Sequence, residues 1–205
     1  MKLLNTAIAL GIGAATAAGL SMLKVNKDLV VGTTAVVVGA GLMISLKDKN
    51  DINLKARNYE YFFNRAQDKF ELADYEEAIL DYNKALELSP TEICLVYSMR
   101  GNAKRNLGDF DGAISDQNKA LDFDPLYADG YFNRGSAKYK MGDFDGAIED
   151  YTQVIKINPK DSDAFFNRAN IKKEIGDIKG ACEDWRKAAD LGDDDATKFL
   201  REHCE

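Results

Sequence analysis

Histidine is almost missing from this sequence: His203, close to the C-terminus, is the only one. A single terminal imidazole builds no catalytic triad without partners that the fold would have to supply. Cysteine stops at three, Cys94, Cys182 and Cys204, and none forms a CxxC pair, which argues against a structural zinc site or a thioredoxin-type motif. The carboxylates are numerous but scattered, with no nucleophile and base converging on them. These absences lead us to expect no enzyme, no metal, no cofactor and no small-molecule substrate.

Clustered Lys and Arg are also lacking where a nucleic-acid surface would need them. The chain of 205 residues carries a net charge of −7, but the two ends differ. Residues 1–58 hold seven basic and three acidic residues, leaving twenty basic and thirty-one acidic residues for the remainder, a net of −11. An acidic body of that kind does not bind a phosphate backbone, so no nucleic-acid partner is expected.

What the N-terminus does have is apolar length. Leu3 to Leu23 contains no charged residue, and neither does Leu29 to Leu46. As helices of 21 and 18 residues these would measure about 31 Å and about 27 Å, close to the hydrocarbon thickness of a bilayer. The charged stretch Lys24-Val25-Asn26-Lys27-Asp28 reads as the polar turn between them. Gly11, Gly13, Gly19, Gly32, Gly39 and Gly41 suit close helix packing in lipid. The expectation is a two-helix membrane anchor over residues 1–49, touching lipid through residues 3–46. A second reading takes Lys2, the first apolar stretch and Ala15-Thr16-Ala17 as a cleaved signal peptide; a third takes the pair as a buried soluble hairpin. For the membrane hairpin, Lys2, Lys47, Lys49, Lys55 and Arg57 flank its outer ends and only Lys24 and Lys27 its turn. The positive-inside rule then puts the remainder of the chain in the cytoplasm; the signal-peptide reading would put it in a periplasm or lumen.

Beyond residue 58 the sequence repeats. All three prolines, Pro90, Pro125 and Pro159, stand 35 and 34 residues apart. Ala78, Ala113, Ala147 and Ala181 keep the same beat, as do the turns Ala73-Asp74, Gly108-Asp109, Gly142-Asp143 and Gly176-Asp177. Each unit predicts two helices: glycine closes the first in the left-handed conformation, aspartate opens the second as its N-cap, and proline stops continuation. Gly135 against Ala147, and Ala169 against Ala181, allow close helix crossing, while Phe144, Tyr151 and Ile155 fill the stack.

This pattern resembles the tetratricopeptide repeat family, and the ending Gly180-Ala181-Cys182-Glu183-Asp184-Trp185-Arg186-Lys187-Ala188-Ala189 through Cys204 is similar to those of bacterial members, so that with the apolar N-terminus the chain resembles a bacterial-type membrane-anchored member. The resemblance covers residues 59–195 as repeats 59–92, 94–127, 128–161 and 162–195, with 50–58 as linker and start of the first helix. It implies an all-α, right-handed superhelical solenoid of four helix-turn-helix repeats, preceded by the two apolar helices. Residues 196–205 form a capping helix that covers the last hairpin with Phe199 and Leu200, as a solenoid end requires. Departures from the pattern are Ala73 where glycine is usual, and the absence of a proline from the fourth repeat.

Three polar residues recur with the period: Arg65, Arg100, Arg134 and Arg168; Asp81, Asp116, Asp150 and Asp184; Lys69, Lys104, Lys138 and Lys172. Arg134 lies eight residues before Gly142 and Asp150 eight after it, so an antiparallel hairpin sets them level and predicts a structural ion pair rather than a recognition ladder. The resemblance places peptide recognition instead on a concave surface lined by the first helix of each repeat. Its candidates are Phe63, Asn64, Gln67, Asn102, Arg105, Phe132, Asn133, Tyr139, Phe166, Asn167 and Asn170, where the carboxamides both donate to and accept from a peptide backbone. The alternative is that some of these are merely solvated. The Lys/Asn clamp of chaperone-binding relatives is replaced by Phe63 and Gln67, which argues against capture of a chaperone tail. The implied function is a non-catalytic scaffold at a membrane, binding a peptide or helix of a protein partner and assisting assembly of a membrane complex. Finally, Cys182 and Cys204 stand eleven residues either side of Asp193, level on adjacent helices. They are expected to remain thiols in a reducing cytoplasm and to be open to disulfide formation in an oxidising compartment.

Overall fold

The computed structural model describes residues 35–38, 42–88 and 92–204. The described residues divide into two units, one up to Lys55 and one from Ala56 onward.

In the first unit, β1 (Ala35–Val38) and β2 (Leu42–Ser45) pair antiparallel, with Ala35 opposite Ser45 and Val38 opposite Leu42. This corrects the expected second apolar helix. Val36, Val37 and Val38 are β-branched, and such side chains lose rotamer freedom in a helix but fit a pleated strand. Length and hydropathy pointed to a membrane helix; composition decided for a hairpin. No described helix is long and apolar enough to cross a membrane. The other expected apolar helix, Leu3 to Leu23, lies outside the described residues, as does the charged turn after it.

Helix α1 (Leu46–Glu71) is continuous through the residues expected to be a linker. From Ala56 onward the described residues are helical: α1 is followed by α2 (Tyr75–Glu87), α3 (Ile93–Asn106), α4 (Phe110–Phe123), α5 (Ala128–Lys140), α6 (Phe144–Ile157), α7 (Ser162–Glu174), α8 (Ile178–Asp190) and α9 (Asp194–His203). Helices α2 to α9 pack mainly against their sequence neighbours, and Phe63 and Ala66 of α1 share a core with Ala78 and Tyr82 of α2, so the second unit is a stack of hairpins.

The turns explain the regularity. Ala73, Gly108, Gly142, Gly176 and Gly192 all have positive φ. At each, the next residue donates its N–H five residues back: Asp74 to Lys69, Asp109 to Lys104, Asp143 to Lys138, Asp177 to Lys172 and Asp193 to Ala188, at 2.8 to 3.0 Å. These bonds close the Schellman motif, which satisfies carbonyls orphaned at a helix end. The same aspartates then start the next helix: Asp109, Asp143 and Asp177 accept the N–H of Gly112, Gly146 and Gly180. A Cβ on any of those glycines would stand 2.1 to 2.2 Å from the capping Oδ2. Repeat one has Glu77 there, and Asp74 makes no side-chain cap.

Between paired helices, Ala66, Gly101, Gly135 and Ala169 face Ala78, Ala113, Ala147 and Ala181, all buried. A Cβ on Gly135 would meet Asp150 Cβ at 3.2 Å, so the close crossing is built from small residues. Around three of the four crossings an aromatic ring fills the core: Tyr82, Tyr151 and Trp185, each fully or almost fully buried and contributing about 2–3 kcal/mol. Gln117 takes this position in the second repeat and donates to Ser98 O at 3.1 Å. Helix α9 covers the last hairpin, with Phe199 against Trp185 and Phe166.

Candidate binding groove

The expected ion pairs form in every repeat. Arg65, Arg100, Arg134 and Arg168 each grip their aspartate through Nε and Nη2, with the Nη2 contacts at 2.6 to 2.7 Å. Lys69, Lys104, Lys138 and Lys172 reach the same carboxylates at 2.7 to 3.0 Å. The aspartates are at most 4% exposed, so these are core fixtures and not surface decoration. Arg65 holds Asp81 below the usual carboxylate range, against the opposing effect of burial and with Lys69 adding to it.

With these cations occupied, other polar side chains of α1, α3, α5 and α7 line the first helices, and several of them bond within the stack. Neighbouring first helices touch directly, as α3 and α5 do. Three hydrogen bonds run between them: Asn133 Nδ2 to Ser98 Oγ at 3.4 Å, Arg105 Nη1 to Ser136 Oγ at 2.9 Å, and Tyr139 OH to Glu174 at 2.9 Å. The bond to Glu174 and partial burial both raise the Tyr139 hydroxyl pKa.

The structure divides the candidate residues. Phe63 is buried between the Tyr59 and Tyr82 rings. Phe132 packs edge-on against Tyr151, and Phe166 against Phe199. Asn170 accepts from Trp185 Nε1 at 3.1 Å. Asn167 donates to Asp163 O on its own helix. Asn64 is exposed and Gln67 half-buried. Asn102 and Arg105 are half-buried, and each encloses a polar atom without a partner, Asn102 Oδ1 and Arg105 Nε.

A pocket of about 70 Å³ opens beside this row, lined by Tyr139, Tyr151, Asn167, Asn170 and Ile171. Burial pushes the Tyr151 hydroxyl up to about 12, while Ser136 and Arg105 act in the opposite direction, so both lie beside it. Ser136, Tyr151 and Ile171 were not among the sequence candidates. Ser136 carries the one signal that would have found it, lying midway in the periodic series Asn102, Ser136, Asn170. No group of three or more His, Cys, Asp or Glu residues suited to a metal occurs among the described residues.

Tetratricopeptide repeat models match residues 59–92, 101–142, 128–161 and 150–183. The chain belongs to the tetratricopeptide repeat family. No curated protein matches it in sequence. Among solved structures, the tetratricopeptide repeat stack is similar to that of MamA: 22% identity, 76% of this chain and 99% of that one, TM-score 0.62. It is also similar to the first such domain of Spaghetti (RPAP3) bound to the HSP90 peptide SRMEEVD: 25% identity, 56% and 93%, TM-score 0.53. A tetratricopeptide repeat protein from Parabacteroides merdae matches at 19% identity, 67% and 54%, TM-score 0.61.

Proposed function

We propose that this protein is a non-catalytic scaffold whose first helices receive a segment of a partner protein. The carrying observation is the division of labour among its polar groups. The recurring Arg, Lys and Asp residues are consumed in the core, whereas Asn64, exposed, and Gln67, Asn102 and Arg105, half-buried, stand outside those pairs on the first helices. Tetratricopeptide repeats generally mediate protein–protein contacts, and one structural neighbour carries a bound peptide. The Lys/Asn clamp positions are Phe63 and Gln67, with Phe63 in the core, so the partner segment is not a chaperone tail. A photo-reactive residue at Asn64 should crosslink to a partner in intact cells, while one at Glu149, exposed on α6, should not. Equal crosslinking from both, or from Glu149 alone, rejects the groove.

The uncharged stretch Leu3 to Leu23 supports attachment to a membrane, where the scaffold would recruit its partner or assist assembly of a complex. A second reading draws on the Cys182–Cys204 disulfide, which ties α8 to the residue after α9. Disulfides persist in oxidising compartments, and this bond favours the exported placement over the cytoplasmic one expected from flanking charge. Thiol trapping in intact cells, together with the mass of the mature N-terminus, tests both points. Three free thiols would return the repeats to the cytoplasm.

A further inference from the structure

Arg105 is anomalous among the half-buried arginines of the stack. Arg65, Arg100, Arg134 and Arg168 each hold a buried aspartate. Arg105 has no carboxylate partner among the described residues. Its Nη1 meets the neutral Ser136 hydroxyl at 2.9 Å, and its Nε is enclosed with nothing to accept from it. A cation half withdrawn from water without a counter-ion is unfavourable, and folding has put this one on a first helix, beside the pocket. Beside it, Tyr151 and Tyr139 form the wall of the small pocket that Ile171 helps to line.

We propose that Arg105 receives an acidic side chain, Asp or Glu, of the partner segment, while the adjoining pocket takes a small apolar side chain next to it in that segment. The inference rests on the groove reading above and adds the chemistry of what the groove selects. A guanidinium presents a planar fork that matches a carboxylate. Asn102, one turn earlier on α3, has its Oδ1 enclosed but is half-buried, and its Nδ2 amide is suited to donate to a backbone carbonyl of the same segment. The acid is internal to the partner chain and not its C-terminus. Arg105 belongs to the second of four repeats, and first helices continue on both sides of it, α1 on one and α5 and α7 on the other. A chain ending at Arg105 would leave half of that face empty.

The test pans the immobilised full-length protein against a displayed library of short random peptides, then measures synthetic binders by calorimetry. The expected binders carry Asp or Glu adjacent to an aliphatic residue. For such a peptide, Arg105→Gln should weaken binding about tenfold, to the level of the peptide's own Asn or Gln counterpart. Arg105→Lys should retain part of the acid preference. Arg105→Glu should prefer the peptide with Lys in place of its acid, a reversal that loss of folding cannot produce. Amidating the peptide C-terminus should change nothing. Binders without acid enrichment, an acid preference that survives Arg105→Gln, or dependence on a free C-terminus overturns this inference and leaves the groove standing. Recovery of no binders at all overturns the groove reading itself.

Discussion

Arg134 donates from Nη1 to Asn118 Oδ1 at 2.6 Å, across the boundary between two repeats. The same guanidinium holds Asp150 within its own repeat, so one side chain fastens a hairpin and joins it to the previous one. Arg100 bonds Asn83 and Arg168 bonds Thr152 in the same way. The equivalent residue in the fourth repeat is Arg186, exposed, after which the capping helix begins. The series of acceptors thus ends where repeats end. Asp150→Ala strips Arg134 and Lys138 of their shared buried acceptor and should cost about 3 kcal/mol. Asn118→Ala removes a single bond at the boundary and should cost about 1 kcal/mol. Urea denaturation checks both, and a larger loss for Asn118→Ala than for Asp150→Ala would reverse this assignment.

Ala73 occupies with φ 60 the turn position that glycine holds at Gly108, Gly142 and Gly176. A Cβ is disfavoured in that conformation, while glycine costs more backbone entropy on folding, so Ala73→Gly should gain roughly 0.5–1 kcal/mol. Gly142→Ala should lose a similar amount, because a Cβ there meets nothing within 4 Å and only the backbone conformation is tested. Thermal denaturation of the two variants should move in opposite directions.

Acid should loosen the first repeat through Asp81. Its folded pKa is depressed, first of all by the Arg65 hydrogen bonds. A depressed carboxylate contributes stability that is present above the unfolded value of about 3.9 and is lost as pH falls through the folded value. Between about pH 5 and about pH 2 the free energy of unfolding should therefore drop, and the drop should be smaller in Asp81→Asn. Equal slopes would show that Asp81 does not carry this dependence.

How much of this could be read in advance differed by residue. The level pairing of Arg134 with Asp150 followed from counting to Gly142, since an antiparallel hairpin turns equal offsets into contact. The capping helix followed from Phe199 and Leu200 placed after the last repeat. The hairpin Ala35–Val38 with Leu42–Ser45 was hidden because uncharged length is shared by membrane helices and buried strands, and only the run of valines separates them. Phe63 reads as a groove residue because helical period says which residues share a face, not whether a neighbouring helix covers that face; Tyr82 does. The unpaired Nε of Arg105 depends on which carboxylates the fold brings near, which no spacing reveals. Gly146 differs again: its place three residues after Asp143 is visible in the sequence, but the need for a missing Cβ appears only from the 2.2 Å approach to Oδ2.

The C-terminal cap offers a direct optical test of the disulfide. Trp185 is the only tryptophan in the sequence, and it is fully buried. Its ring lies 5.2 Å from Phe199 and 5.7 Å from His203, both on α9, so its fluorescence reports docking of that helix. Cys182 and Cys204 are 22 residues apart, and a cross-link closing a loop of that size stabilises by roughly 3 kcal/mol in the chain-entropy account. Helix α9 has only ten residues and one fully buried side chain, Ala196, so it depends on that link more than any inner hairpin does. Reduction, or Cys204→Ser, should therefore release α9 before the rest of the stack unfolds. With rising urea, Trp185 emission should shift to the red ahead of the loss of helical circular dichroism, whereas in the oxidised protein the two transitions should coincide. If they coincide after reduction as well, packing of Phe199 against Trp185 and Phe166 suffices to hold the cap, and the disulfide adds stability to the stack as a whole.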